Sequence, residues 1–164
     1  MFKRTQDPSS QSHGSTPSEP ISQQERIELL AHVPLFSELN RRELRTLAQA
    51  TIQREYAAGT VIVQQDETGV GLYVLIQGRA RVQQRVADGT VRQLGTLGSG
   101  EIFGEMALLD TFPRSASVVA EEAISALVIP IFDFRALLRG DSNIAIKLLA
   151  VLSRRVRQVE SADR

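Results

Sequence analysis

The spacing of apolar residues divides the chain into stretches of different rhythm. Residues 1–20 have almost nothing to space: Ser, Gln, Pro, Gly and His follow one another. The cost of ordering such a backbone would go unmet by burial, so a disordered tail is expected there. Helical spacing begins after it. Ser22 and Glu25 stand in capping-box register ahead of Ile27, Leu29 and Leu30, a helix that Pro34 should end. Asn40 and Glu43 repeat the device before Leu44, Leu47 and Ala48. Two short helices therefore open a domain expected to fill residues 21–164.

Between Ala57 and Val119 the apolar runs become short and are broken by Gly or polar residues. Thr60–Gln65, Gly71–Gln77, Arg79–Val86 and Thr90–Leu97 are rich in Val, Ile, Leu and Tyr and read as strands. Asp88-Gly89 predicts a hairpin between the last two. Ser115–Ala120 and Ser125–Pro130 add two more strands. Strands this short, with no helix between them, predict an antiparallel sandwich or barrel.

Helical spacing returns at the end, with a short helix over Phe132–Leu138 and a long one over Asp141–Ser161. On the long helix Ile144, Leu148, Val151, Leu152, Val156 and Val159 share one face. Arg155 falls inside that stripe. Either its stem covers apolar surface while its head reaches water, or it meets a buried partner. Arg154 and Arg157 lie off the stripe and read as solvated charges that suit a helix C-terminus. A DNA-contacting role for the three arginines is the weaker reading.

Composition narrows the chemistry. Lys and Arg number 19 and so do Asp and Glu, so the chain lacks the overall positive field of a nucleic-acid binder, and no nucleic-acid partner is expected. Cysteine is absent and the two histidines, His13 and His32, are far apart. Thiolate catalysis, disulfides and a histidine-rich metal cluster are thereby excluded, and no metal is expected. No Ser-His-Asp set or metal group suggests an enzyme. The N-terminus has basic residues without the apolar run of a secretory leader. The longest apolar run, Ala126–Phe132, is far below the roughly 20 residues of a membrane helix, so a cytoplasmic location away from membranes is expected.

One segment does not fit a mere connection. Gly98–Val119 places Glu105 and Arg114 among glycines and residues that favour burial. An unpaired charge costs several kcal/mol when desolvated, so something should compensate both. Gly100 and Gly104 permit positive φ, and Glu105–Leu109 can form about one helical turn whose amides, at Met106 and Ala107 among others, favour an anion. Pro113 fixes the chain ahead of Arg114. A sugar phosphate would satisfy the set, with its anion on Arg114 and a hydroxyl donating to Glu105. A closed alternative is an internal Glu105–Arg114 ion pair in a pocket that binds nothing.

The runs FGEMALL (Phe103–Leu109) and PRSASV (Pro113–Val118) resemble the phosphate-binding cassette of the cyclic nucleotide-binding domain family. That family includes modules of catabolite activator-type regulators, kinase regulatory subunits and nucleotide-gated channels. The likeness extends over about Ser22–Ser161. It implies a mainly β fold with flanking helices: an antiparallel jelly-roll β-barrel with N-terminal helices and two C-terminal helices. By this resemblance Glu105 accepts the ribose 2′-hydroxyl beside the Gly104 backbone. Arg114 binds the cyclic phosphate with help from Ser115 and Ala116. Leu94, Phe103 and Val118 surround the sugar and base, and Arg155 and Val159 reach the ligand from the last helix. Two departures stand out. Gln65 replaces a glycine of an early barrel turn, and Val159 and Glu160 stand where catabolite activators place hydroxyl residues for adenine.

The resemblance implies a non-enzymatic receptor for a cyclic mononucleotide, with cAMP the expected ligand and cGMP the alternative. The C-terminal helix would close over the nucleotide and signal to a protein partner or to a second copy. Two other readings are a jelly-roll interaction module with an inert pocket and a fragment of a transcription regulator. The chain stops at Arg164, just after the last helix, so direct promoter binding is not expected.

Overall fold

A computed structural model describes residues 18–163. Helix α1 (Gln23–Ala31) and helix α2 (Arg41–Gln49) flank a short 3-10 turn at Pro34–Phe36. Both helices start on complete capping boxes, Ser22 with Glu25 and Asn40 with Glu43. The side chain at the cap and the one three residues on each satisfy an amide that the helix leaves free.

Eight strands follow: β1 (Ile52–Tyr56), β2 (Val61–Val63), β3 (Gly71–Gln77), β4 (Ala80–Arg85), β5 (Val91–Leu97), β6 (Ile102–Phe103), β7 (Ser117–Ala120) and β8 (Ile124–Pro130). They form two four-stranded sheets, ordered β1-β8-β3-β6 and β2-β7-β4-β5, with every pairing antiparallel. This is a jelly-roll order, so the fold class expected from the sequence is the one observed. Helix α3 (Ile131–Gly140) and helix α4 (Ser142–Ala162) close the chain.

Two apolar cores sandwich the first sheet. Tyr73, Leu75, Ala126 and Val128 point between the sheets and pack against Val118 and Ala120 of β7. The opposite residues of the same strands, Leu72, Val74, Leu127 and Ile129, pack under Leu30, Phe36, Leu47, Phe134 and Leu148 of the helices. Because β3 and β8 are buried on both faces, their sequences read as nearly unbroken apolar runs.

Several expectations shift at the edges. Strand β1 carries the polar sequence IQREY and hides its period, so the sequence shows no strand there. The expected Thr60–Gln65 strand shrinks to Val61–Val63, where a register irregularity interrupts its pairing with β7. On α4 the apolar stripe is buried only at Ile144, Leu148 and Val151. Val156 is 57% exposed and Val159 64% exposed, because the helix runs on beyond the body it packs against. The segment read as a disordered tail, residues 1–20, lies outside the described residues except for its end. There Ser18 donates to Glu55 and the Glu19 carbonyl accepts from Gln53, which ties residues 18 and 19 to β1.

Candidate functional site

The cassette begins where β6 ends. Gly104 has φ +83°, the left-handed region that glycine enters without a Cβ penalty. This turns the chain from β6 into a 3-10 turn over Glu105–Leu108, anchored by the buried Ala107 and Leu108. After Leu109 an exposed loop leads to Arg114, whose backbone is pinned on both sides. Its N–H donates to the Glu67 carbonyl and its own carbonyl accepts from the Asp66 N–H, each at 2.8 Å. Glu105 and Arg114 thus project from two segments held at fixed positions on the barrel.

Between these segments lies a cavity of about 300 Å³, at the small end of the roughly 300–1,000 Å³ range of small-molecule sites. Phe103, Gly104, Glu105, Met106, Ala107, Arg114 and Ser115, all singled out in the sequence, line it. Phe112 and Met106 stand at its mouth, 76% and 55% exposed.

Arg114 is half-buried and has no counter-ion among the described residues. Its Nη2 donates to the Gly71 carbonyl at 3.0 Å, while its Nε is enclosed with no hydrogen-bond partner among the described residues. Burial pushes the guanidinium down from its ordinary value, with the neighbouring Tyr73 acting in the opposite direction. The guanidinium fits only because glycine surrounds it. A Cβ on Gly104 would collide with its terminal nitrogens, and one on Gly69 would lie 2.8 Å from Nε and run into Ala107. A cation in this seat lacks an anion, and its environment favours one that arrives from outside.

Glu105 does not pair with Arg114, so the closed alternative is not what the structure forms. Its Oε1 meets Arg155 Nη1 of α4 at 3.3 Å, and its Oε2 is buried with no hydrogen-bond partner among the described residues. Arg155 therefore has a partner inside, the second of the two readings its place in the stripe left open. The two residues that line this cavity thus keep an unsatisfied carboxylate oxygen and an unsatisfied guanidinium N–H among the described residues. The first accepts from a hydroxyl, and the second donates to a phosphate oxygen.

The remaining residues of the expected site lie elsewhere. Val118 is 4% exposed and packs between the sheets, Leu94 is 52% exposed on β5, and Val159 is exposed near the end of α4. Ala116 is half-buried just before β7, outside the cavity lining. Conversely, Gly69, Gly71 and Tyr73 belong to the setting of Arg114, and the sequence reading passed over them. The Gly-Val-Gly run that opens β3 was the available signal, since two glycines flanking one residue at a strand start mark a close approach of backbone. Tyr73 stacks on Phe103 with centroids 4.6 Å apart and planes 3° from parallel, so it braces β6 at the cassette entrance.

Known proteins agree with this architecture. The family model of the cyclic nucleotide-binding domain matches residues 53–141. The cyclic AMP receptor protein of Thermus thermophilus is 38% identical over 127 residues, which cover 77% of this chain and 59% of that protein. The N-terminal domain of a transcriptional regulator from Streptomyces coelicolor A3(2) superposes with a TM-score of 0.76 at 26% identity, covering 83% of this chain and 95% of that one. The regulatory domain of Toxoplasma gondii PKA, crystallised with cAMP, gives a TM-score of 0.66 at 27% identity, covering 70% and 44%. The chain spans about three fifths or less of the length of the first curated relatives it matches. With its jelly roll, its glycine-seated arginine and the matched family model, this chain belongs to the cyclic nucleotide-binding domain family.

Proposed function

We propose that this domain is a receptor for cyclic AMP whose cassette holds the sugar phosphate and whose last helix responds to it. The observation that carries the reading is that Glu105 and Arg114 line one cavity and each keeps a polar atom, Oε2 and Nε, without a hydrogen-bond partner among the described residues. The cyclic phosphate is a single anion, which matches the one guanidinium in the cavity lining. The ribose hydroxyl donates to Glu105, which a bare anion would not do. Ser115 and the Met106 amide at the start of the turn complete the phosphate seat, while the Ala107 N–H is taken by the Gly104 carbonyl. The choice of cAMP over cGMP is supported by the cyclic AMP receptor of Thermus thermophilus and by the cAMP-bound regulatory domain of Toxoplasma gondii PKA.

Binding couples to α4 through Arg155, which already touches Glu105 in the free domain. A ligand that engages Glu105 changes what Arg155 meets and so biases where the distal part of α4 rests. Only a difference in affinity between the two helix positions shifts their populations. The output surface is the exposed side of α4, where Leu149, Val156 and Val159 face solvent. A protein partner or a second copy would read it.

Isothermal titration with cAMP and cGMP tests the proposal. A saturable heat with cAMP, at least tenfold tighter than with cGMP, is the expected result. No heat with either nucleotide refutes the receptor reading, and tighter cGMP binding reverses the choice of base.

A further inference from the structure

A second cavity, about 640 Å³ and so larger than the nucleotide cavity, lies where β8 runs into α3, and Arg114 is not among its lining residues. Its composition is unlike that of the cassette. Val70, Pro130 and Phe132 supply apolar wall, and two of these are left bare in the free protein, Val70 at 61% exposure and Phe132 at 82%. Tyr56 and Tyr73 bring phenol groups that neighbour one another. Arg54, exposed on β1, lines the same cavity and has no carboxylate partner among the described residues.

We propose that this cavity is a second ligand site, taking a small monocarboxylate with an apolar tail. The planar guanidinium of Arg54 matches a carboxylate in two-point geometry, and the phenols add hydrogen-bond donors. Like any tyrosine both are protonated at neutral pH, and burial reinforces this, pushing Tyr73 up and, together with Tyr73, Tyr56 to about 12. The tail covers Val70 and Phe132, whose exposure side by side is the kind of apolar patch that marks an interaction site. The charge count selects a monoanion. Glu55, the one carboxylate in the lining, is engaged by Ser125 and Ser18 but still offsets part of the Arg54 charge, which disfavours a dianionic phosphate. This site goes beyond the nucleotide reading and does not depend on it.

The chain carries its own probe. It has no tryptophan and two tyrosines, and both tyrosines line this cavity, so intrinsic emission reports on it directly. Octanoate titrated into the full chain is expected to change tyrosine emission saturably. The response should persist in Arg114→Gln, whose nucleotide seat is lost, and weaken at least tenfold in Arg54→Gln. Val70→Asp, which sets a carboxylate against the tail, should abolish it. The proposal is overturned by the absence of a saturable change, by an equal response to 1-octanol, or by Arg54→Gln behaving as wild type. Loss of the response in Arg114→Gln also overturns it, since octanoate would then occupy the nucleotide cavity.

Discussion

Two regions of the molecule draw charge at least half out of water and treat it in opposite ways. Between α2 and α4, Glu43 receives Lys147 Nζ on both oxygens, at 2.7 and 2.9 Å, while one of those oxygens also accepts the Asn40 N–H. Every lone pair that needs a mate has one. Burial alone would push this carboxyl up, yet Lys147 and the Asn40 amide outweigh it and hold it below its ordinary value. In the cassette, by contrast, Arg114 meets one backbone carbonyl and no carboxylate among the described residues, and Glu105 keeps one oxygen without a partner among them. The first arrangement contributes to the stability of the free protein. The second costs stability that a ligand can return, which is how a fold reserves a place for something it does not contain.

Substitutions separate the two. The largest effect is expected from Arg114→Gln, which removes the cation facing the phosphate. Truncating one partner of a buried charge pair costs about 2–5 kcal/mol, so cAMP affinity measured by titration calorimetry should fall about thirtyfold or more. The melting temperature of the free domain should not fall, since no ion pair is lost; a fall of several degrees would show that Arg114 is structural. Next comes Gly104→Ala, which forces a side chain into the left-handed region and against the guanidinium. It should weaken binding about tenfold, through strain of about 1–3 kcal/mol, and lower the melting temperature as well.

Glu43→Gln should act on stability through its ion pair, lowering the melting temperature of the free domain by a few degrees, as about 1 kcal/mol does in a chain this size. Its pH dependence has a definite sign. The folded carboxyl lies below its unfolded value, so its contribution is fully present above the unfolded value and is lost as pH falls through the folded one. Wild type and variant should therefore differ at neutral pH and converge in acid, whereas a constant difference would exclude the carboxylate as the cause. The smallest effect is expected from Arg155→Gln. Its pair with Glu105 is long and about a third exposed on the arginine side, and pairs of that kind contribute roughly 0.2–1 kcal/mol. Nucleotide affinity should change less than about fivefold, and a larger change would mean that Arg155 itself touches the ligand.

How much of this was legible in the sequence depends on whether a local rule or a distant contact sets each feature. Both capping boxes, the Gly71–Gln77 strand and the hairpin at Gly89 follow from residues within a few positions of one another, and the structure has them in place. Strand β1 was hidden because its alternation is carried by polar residues against β8, seventy residues away. In the cassette, Glu105, Gly104 and Arg114 declared themselves by chemistry, as charges where none should be buried. Gly69 and Tyr73 did not, since their roles exist only once β3 lies beside the 3-10 turn. Arg155 occupied the inward stripe as its periodicity required, but its partner Glu105 lies 50 residues earlier, beyond the reach of any local pattern. Val156 and Val159 continued the stripe by periodicity alone, which cannot report that a helix has outrun the body it packs on.

Strand β6 is two residues long and pairs with β3 at only Tyr73–Phe103 and Val74–Ile102, at the margin of its sheet. Strand β8, by contrast, is flanked on both sides and buried through six of its seven residues. The ligand seat therefore follows a short edge strand that β3 alone pairs, helped by the Leu75 bonds to Gly100 and Glu101 just before it. In deuterated water the backbone amides of residues 102–108 should exchange orders of magnitude sooner than those of β8, and nucleotide should slow them selectively. Recognition and breathing would then share one short hinge, and the rest of the barrel would remain still.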